Sequence, residues 1–474
     1  MLKQRYQKIK RVRNKCWILF FIGCFSVNPT IAQEVKDTLS WNQFKTILLT
    51  QHPVAKSANL LDGLAKAKMK QAWGNFEPKI STNFDQKKFD GTNYYRFLTP
   101  EIKLPLWYGL EVKGNYSEAE GVYLNQENKL PQDGLSYIGL NFSLGNGLLM
   151  DKRRAALKQA QIFKQSTSNQ QLMIINDLIL DAGISYLNWQ NQYKITNIYD
   201  KALKLSELRY DAVKQGFING DKPAIDTLEA LTQIQQRQIL LQQAQLDLQN
   251  ATLEMAAFLW ISNNVPFDLN NIQLIPKEEE IKFNNQIDGF VNNNPKLLSY
   301  NFKLQDLEVQ KRLKAENLRP NIDLQLGLLN SGNNAFRNIN SDYWINNNKI
   351  GVQFSFPLTF AAARGELAEA KIKINDLQLE KNVVENELKM KLYQNNAERK
   401  TLQLQYNLLQ QSVKANELLL KGEETKFRFG DSSLFLVNSR ELKLIDAQEK
   451  LLTIENKIIK NKLKADYIIG DFNN

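Results

Sequence analysis

The chain has 474 residues, and its formal charge of +11 comes from 61 basic against 50 acidic side chains. Hydrophobic residues make up 43 %, and the longest apolar run, residues 17–27, has 11 members. A spanning helix needs roughly 18, so a polytopic helical membrane protein is excluded.

Seven basic residues stand before position 16 (Lys3, Arg5, Lys8, Lys10, Arg11, Arg13, Lys15), and no acid precedes Glu34. The remainder carries 54 bases and 50 acids, a balance of +4. That is not the clustered excess that nucleic-acid binding needs, so no nucleic-acid partner is expected. The basic stretch, the apolar run and Thr30-Ile31-Ala32 predict a secretory signal peptide, 1–32, cut after Ala32. Cys24 follows Phe21-Ile22-Gly23, which loosely resembles a lipoprotein cleavage box, with Phe21 unfavourable in it. Both cysteines, Cys16 and Cys24, fall in this segment, and His52 is the only histidine. Residues 33–474 therefore hold no disulfide framework, cysteine-bound metal or His-based triad. His52 itself reads as an ordinary surface residue.

Proline placement divides the rest. None occurs from 132 to 222 or from 358 to 474, which permits long helices. His52-Pro53 and Glu77-Pro78 are spaced by 25 residues, as are Asn294-Pro295 and Arg319-Pro320, at an offset of 242. Gly220-Asp221 matches Gly430-Asp431, and Arg154 matches Arg364, at an offset of 210. These offsets predict a tandem duplication: a first repeat, 33–260, an equatorial connector, 261–293, and a second repeat, 294–474. Each repeat opens with a helix (54–77 or 296–319), continues with strands (79–145 with an insertion, or 321–357) and enters a very long helix (152–216 or 361–427). A Gly-containing turn (216–223 or 429–433) leads to a shorter helix (224–260 or 434–469). Within the strands, Ile322, Leu324, Leu326 and Leu328 alternate with Asp323, Gln325 and Gly327. Period-two alternation also marks Ile350 to Phe356, Ile138 to Leu144 and Leu110 to Tyr116. Val437, Leu444, Leu451, Ile458 and Ala465 form a seven-residue stripe, as do Ile234, Leu241, Leu248 and Met255; Ala230, Ala244, Ala251 and Phe258 occupy +3 positions. Such spacing predicts coiled-coil packing. The two shorter helices, 224–260 and 296–319, stacked end to end, match the long helix in length.

Alternation fits either a soluble half-buried sheet or a transmembrane β-barrel. Three features favour the barrel. The signal segment directs the chain out of the cytoplasm. Aromatic clusters (Tyr94-Tyr95, Trp107-Tyr108, Tyr137, Tyr343-Trp344) flank the strands as interface girdles do. The strands are also too few to close a barrel alone, so several chains must contribute, because lipid cannot satisfy a free edge.

With its duplication, its proline pairs and its turn signatures (Arg209-Tyr210, Gly220-Asp221 and 225–230; Lys426-Phe427, Gly430-Asp431 and 434–439), the sequence resembles the TolC-type outer-membrane efflux proteins over nearly all of the chain after the signal segment. The resemblance implies an α+β membrane protein and a homotrimer. Each subunit would give four strands to one shared twelve-strand outer-membrane β-barrel, continued by a long periplasmic α-helical coiled-coil barrel. It implies a passive gated conduit for small molecules or polypeptides in a tripartite efflux or type I secretion system. Its partners would be the lipid bilayer of the outer membrane, a periplasmic adaptor and an inner-membrane pump, proton-driven or of the ABC type. The alternatives from other classes are a periplasmic coiled-coil adaptor and an envelope protein without a pore. The sequence departs from the family at two places. Strand-like residues 101–106 and 110–116 exceed the usual pair: either they form an external loop or plug, the favoured reading, or the strand count differs from the family's. Leu436 and Ser439 stand where the family often carries aspartates at the entrance, whereas Asp226 survives in the first repeat.

The candidate site is therefore the periplasmic tip: Gly220, Asp221, Asp226, Glu229, Gly430, Asp431, Leu434, Phe435, Leu436, Ser439 and Arg440. Asp226 and Glu229 suit a helix start through its dipole, and they are also candidates for a gate contact to Arg440 or Arg428. Asp221 and Asp431 follow turn glycines, where such residues cap, and an adaptor would meet them there. Two of Leu434, Phe435 and Leu436 read as core, with Phe435 open to docking or pore constriction. Trp107, Tyr108, Tyr343 and Trp344 are candidate membrane-interface residues. No paired carboxylates, nucleophile elbow or phosphate loop appear, so neither catalysis nor a cofactor is expected.

Overall fold

A computed structural model describes residues 37–268, 274–277, 294–336, 343–470 and 472. The predicted signal segment with its cleavage after Ala32, and most of the predicted connector, lie outside the described residues. In chain order the elements are β1 (Asp37–Leu39), α1 (Trp41–Gln51), α2 (Pro53–Trp73), β2 (Lys79–Phe89), β3 (Thr92–Pro105), β4 (Leu110–Glu120) and β5 (Leu135–Ser143). Then come α3 (Lys152–Ile218), α4 (Ala224–Ala256), β6 (Trp260–Ile261), β7 (Val265–Pro266), β8 (Leu274–Pro276) and α5 (Pro295–Glu316). The chain ends with β9 (Asn321–Ser331), α6 (Tyr343–Asn346), β10 (Asn348–Ser355), α7 (Ala361–Arg428) and α8 (Leu434–Ile469).

The helices begin where side chains satisfy orphan backbone donors. Ser40 and Gln43 form a capping box on α1. Asp151 accepts from the Arg154 amide at 2.7 Å and also holds the Arg154 guanidinium, which donates to the Gly147 and Leu148 carbonyls. Asn294 caps α5 and donates to the Ile468 carbonyl at 2.7 Å, tying the start of α5 to the end of α8. His52 differs from its sequence reading. It is 9 % exposed, caps α2 through Nδ1 and sits against Phe258 and Trp260. Its burial lowers the imidazole pKa.

α3, with 67 residues, spans about 100 Å at ~1.5 Å per residue. The lower part of α3 packs on α4 and its upper part on α2 and α5, while α7 packs on α5 and α8. Asn169 donates to the Pro295 carbonyl and Gln159 to Asp306, so α5 continues along α3 where α4 stops. The main core lies at this joint. The rings of Trp41, Phe44, Tyr186 and Trp189 pack in a cluster, with neighbouring centroids 5.3–6.0 Å apart, surrounded by Leu48, Met255 and Leu463. Gly183 is needed there: a Cβ would stand 2.7 Å from Leu463 and 3.1 Å from Trp41. The Tyr186 hydroxyl donates to the Leu39 carbonyl at 3.0 Å, and β1 pairs in parallel with β8, closing the joint from outside.

The sheet corrects one expectation. In place of four strands with a loop or plug, the chain makes one antiparallel six-stranded sheet in the order β10-β9-β5-β4-β3-β2. The physical reason is backbone satisfaction. Residues 92–105 pair on one side with β2 and on the other with β4, and β4 pairs in turn with β5. The β3–β4 ladder opens only around Thr99 and Pro100, where proline has no N–H to give. One register row reads Lys79, Lys103, Lys113, Gly139, Gly327, Lys349 across all six strands. The neighbouring rows, on the opposite face, read Leu104, Val112, Leu140, Leu326, Ile350 and Ile80, Ile102, Gly114, Ile138, Leu328. Tyr137 lies across Gly139 and Gly327 and accepts from Gln325 at 2.9 Å, filling the polar face where those glycines leave room. The two faces thus run through the sheet at these rows, whereas toward the far end Glu118 and the Arg96–Glu120 ion pair stand on the otherwise apolar face. Among the described residues no closed barrel forms within one chain, and the outer strands of the sheet are β2 and β10.

Candidate functional site

Opposite the sheet, the α3–α4 and α7–α8 hairpins end side by side. Their turns are built alike. Gly220 and Gly430 both adopt φ +84°, the left-handed conformation that ends a helix. The next amides return to the last turn: Asp221 to the Gly216 carbonyl at 2.8 Å, and Asp431 to the Lys426 carbonyl at 3.0 Å. Both aspartate side chains are exposed. Ser433 accepts from the Leu436 amide and starts α8.

A small core joins the hairpins just behind the turns. Leu434 is 1 % exposed and packs with Val213, Ala230, Tyr210 and Phe427. Phe435 is 65 % and Leu436 42 % exposed. One of this triplet is core where two were expected, because the first turn of α8 buries a single position between the hairpins and turns the next two outward. Ser439 is half-buried.

The charged contacts also differ from expectation. Arg440 faces Glu423 on α7 at 3.6 Å, and Arg428 bonds Thr425 within its own helix. Glu229 accepts from Asn438 of α8 at 3.4 Å, so it does bridge the two hairpins, through an amide and not a cation. Burial is the main cause that raises the Glu229 carboxyl above its ordinary range, and the Asn438 bond opposes it. Asp226 lies half-buried one turn before it.

Sequence reasoning missed the stronger network beside these residues. Arg209 of α3 donates to Glu441 of α8 at 2.9 Å and to Asn438 at 3.2 Å, and lies 3.5 Å from Glu424 of α7. Arg237 of α4, with no exposed surface, approaches the same Glu441 oxygen at 3.6 Å. With its amide turned, Gln233 accepts from Arg237 at 2.7 and 3.1 Å. Burial lowers the Arg237 pKa, and Glu441 opposes the shift. More than two turns higher, Tyr199 of α3 donates to Glu449 of α8 at 2.6 Å, and burial with that bond pushes the phenol upward. Glu441 of the α7–α8 hairpin is thus an anion on which two cations of the α3–α4 hairpin, one from each of its helices, converge.

The interface aromatics separate to the two ends of the sheet. Trp107 stacks on Phe76 at 5.0 Å and Tyr108 lies under Arg154 at 5.1 Å, both in the β3–β4 turn beside the helices. Trp344 is exposed at the far end. Tyr343 is not a surface residue: it is buried, and its hydroxyl donates to the Leu329 and Ala335 carbonyls, closing the loop before β10. Phe89, Tyr94 and Tyr123 form a further cluster at the far end. Among the described residues no group of His, Cys, Asp or Glu is arranged to hold a metal ion.

No protein-family model matches the sequence, and no curated protein matches it. Solved structures do match. The Campylobacter jejuni CmeC outer membrane channel is 14 % identical, with a TM-score of 0.62 over 90 % of this chain and 85 % of that one. The Vibrio cholerae outer membrane protein VceC is 14 % identical, with a TM-score of 0.62 over 91 % and 96 %. The open state of the Neisseria gonorrhoeae MtrE outer membrane channel is 13 % identical, with a TM-score of 0.62 over 90 % and 88 %. The likeness runs nearly end to end in both directions, and it establishes that the chain has the TolC-type fold.

Proposed function

We propose that the protein is an outer-membrane channel for export: a homotrimer whose sheets close into one barrel and whose helices continue it as a periplasmic tube. One observation carries this reading. The sheet gathers its apolar residues on one face, where Ile80, Phe84, Ile350, Val352 and Phe354 are exposed. In water such a face is a liability, whereas against lipid it is the favourable arrangement, with the lysine row turned to a wet interior. Transport here is passive; the driving force belongs to an inner-membrane pump, reached through a periplasmic adaptor. The tip residues Asp221, Asp431 and Phe435 are the exposed groups an adaptor would meet. Glu229 and Asn438, with Arg209, Arg237 and Glu441, hold the hairpins of one subunit together and keep the entrance narrow. The duplication read from the sequence accounts for the recurring order of helix, strands, long helix and short helix.

Membrane fractionation and planar-bilayer recording test this. The protein should sediment with outer membranes and give discrete ion conductance, and Glu441→Gln should raise the conductance severalfold. Recovery as a soluble periplasmic monomer without pore activity overturns the proposal.

A further inference from the structure

The channel reading leaves open what the β3–β4 hairpin does. We propose that this hairpin is part of the pore wall, so that six strands from each of three copies, eighteen in all, close one barrel through the free edges of β2 and β10. This wall rests on the trimeric channel reading and adds to it.

Four observations support it. First, the alternation does not stop at the hairpin. Ile102, Leu104, Leu110 and Val112 continue the apolar face next to the Trp107 turn, with Leu98 on it opposite Glu118, while Lys103, Lys113 and Asn115 continue the polar one. A plug inside a wet lumen has no use for an apolar face, and an external loop has no use for its continuation in register with the wall. Second, the hairpin has the height of the wall. From Leu104, beside the Trp107 turn, to Tyr94, in the far aromatic cluster, β3 runs ten residues. At ~3.3 Å each and a tilt of ~40° this is roughly 25 Å, comparable to an outer-membrane apolar band, with the Arg96–Glu120 ion pair close to its far end. Third, the hairpin is inserted within the sheet. β2 reaches β5 only through β3 and β4, so removing the hairpin from the wall would leave β2 without its only partner. Fourth, an antiparallel sheet of six has edges that run in opposite directions. β2 of one copy and β10 of the next therefore meet antiparallel, and repeating that contact around an axis closes a ring without an exposed edge. Barrel diameter grows roughly linearly with strand number, so at equal tilt this wall is about half again as wide as one of twelve strands.

The occupant of each free edge is thus a second copy of this chain. The test uses the full chain with Cys16→Ser and Cys24→Ser, carrying one nitroxide label at Ile102→Cys, Lys103→Cys, Val112→Cys or Lys113→Cys, in phosphatidylcholine–phosphatidylglycerol vesicles. Labels at 102 and 112 should collide with oxygen severalfold more than with a water-soluble nickel chelate, and labels at 103 and 113 should show the reverse. Equal preference for the nickel chelate at all four positions, in a sample whose mass by light scattering is three copies, overturns the wall and leaves the channel standing. A monomer that stays out of vesicles overturns the channel reading, and the wall with it. A mass of two copies overturns the count of eighteen.

Discussion

Glu441 is the residue on which the tip turns. It is buried and faces Arg209 and Arg237, one from each helix of the α3–α4 hairpin. Removing one partner of a buried ionic cluster leaves uncompensated charge, which typically costs ~3–5 kcal/mol. Glu441→Gln should therefore loosen the junction of the hairpins locally. Amide exchange in residues 205–213 and 434–445 should quicken by 100-fold or more while the mid-height core stays protected, and mass-spectrometric exchange reads this directly. Glu229 gives a second test through pH. Its carboxyl is raised above the ordinary 4.5 because burial disfavours the charge. The folded chain then holds a proton that the unfolded chain has released, so this contribution to stability is full below the ordinary value and is lost as pH rises through the folded one. Glu229→Gln should raise the thermal midpoint near neutral pH, with the advantage vanishing near pH 4; an equal effect at both pH values would refute the assignment. Part of this site was legible in the sequence and part was not, for a physical reason. Turn glycines and capping aspartates are local signals. The convergence of Arg209, Arg237 and Glu441 is made by three helices far apart in sequence. A trace of it was present: the +3 stripe of α4 runs 230, 237, 244, 251, 258, and its one charged member is Arg237. A cation in an apolar stripe demands a buried anion, but only the packing says which.

At the scale of elements, the two hairpin turns make the sharpest demand on sequence. Gly220 and Gly430 share a left-handed backbone with open space around them. A side chain there meets no neighbour, only its own backbone. Ala at either position should cost ~1–2 kcal/mol, and Asn, which tolerates this conformation, should cost less; chemical unfolding of the tip followed by a nearby fluorophore measures the difference. The order Ala worse than Asn identifies a backbone effect, because a packing defect would reverse it. The long helices are legible in the sequence because proline is absent and the seven-residue stripes are sustained. α1 is not, although the Ser40–Gln43 box marks its start, because 11 residues give too short a period to stand out. β2 does not stand out as a separate strand because Lys87-Lys88 and Asp85-Gln86 dilute its alternation; its burial pattern is exposed throughout, as suits an edge awaiting a partner. Within α7 and α8 the buried Asn395 and Asn461 donate to each other's backbone carbonyls at 3.0 and 3.1 Å. Such a pair fixes register more than it adds stability.

For the whole molecule the proposed channel requires that one face of the sheet meet lipid and the other water. The rows answer in opposite senses at adjacent positions: Val352 is 68 % exposed on the apolar face, and Gln353 is its neighbour on the polar face. Backbone, strand and depth are the same for both, so a pair of substitutions isolates the environment of each face. Val352→Lys places a charge toward the hydrocarbon, where it should cost ~2–4 kcal/mol per chain near the midplane. Gln353→Lys adds one more cation to a face that already carries Lys349, in water. In the proposed trimer three chains share one barrel, so the first penalty is incurred three times in every assembled molecule. The yield of heat-resistant trimer should fall by an order of magnitude or more for Val352→Lys and change little for Gln353→Lys, as gel mobility of unboiled outer-membrane extracts records. Equal yields would mean that the apolar face is covered by protein, and the sheet would then be a soluble layer and not a membrane wall.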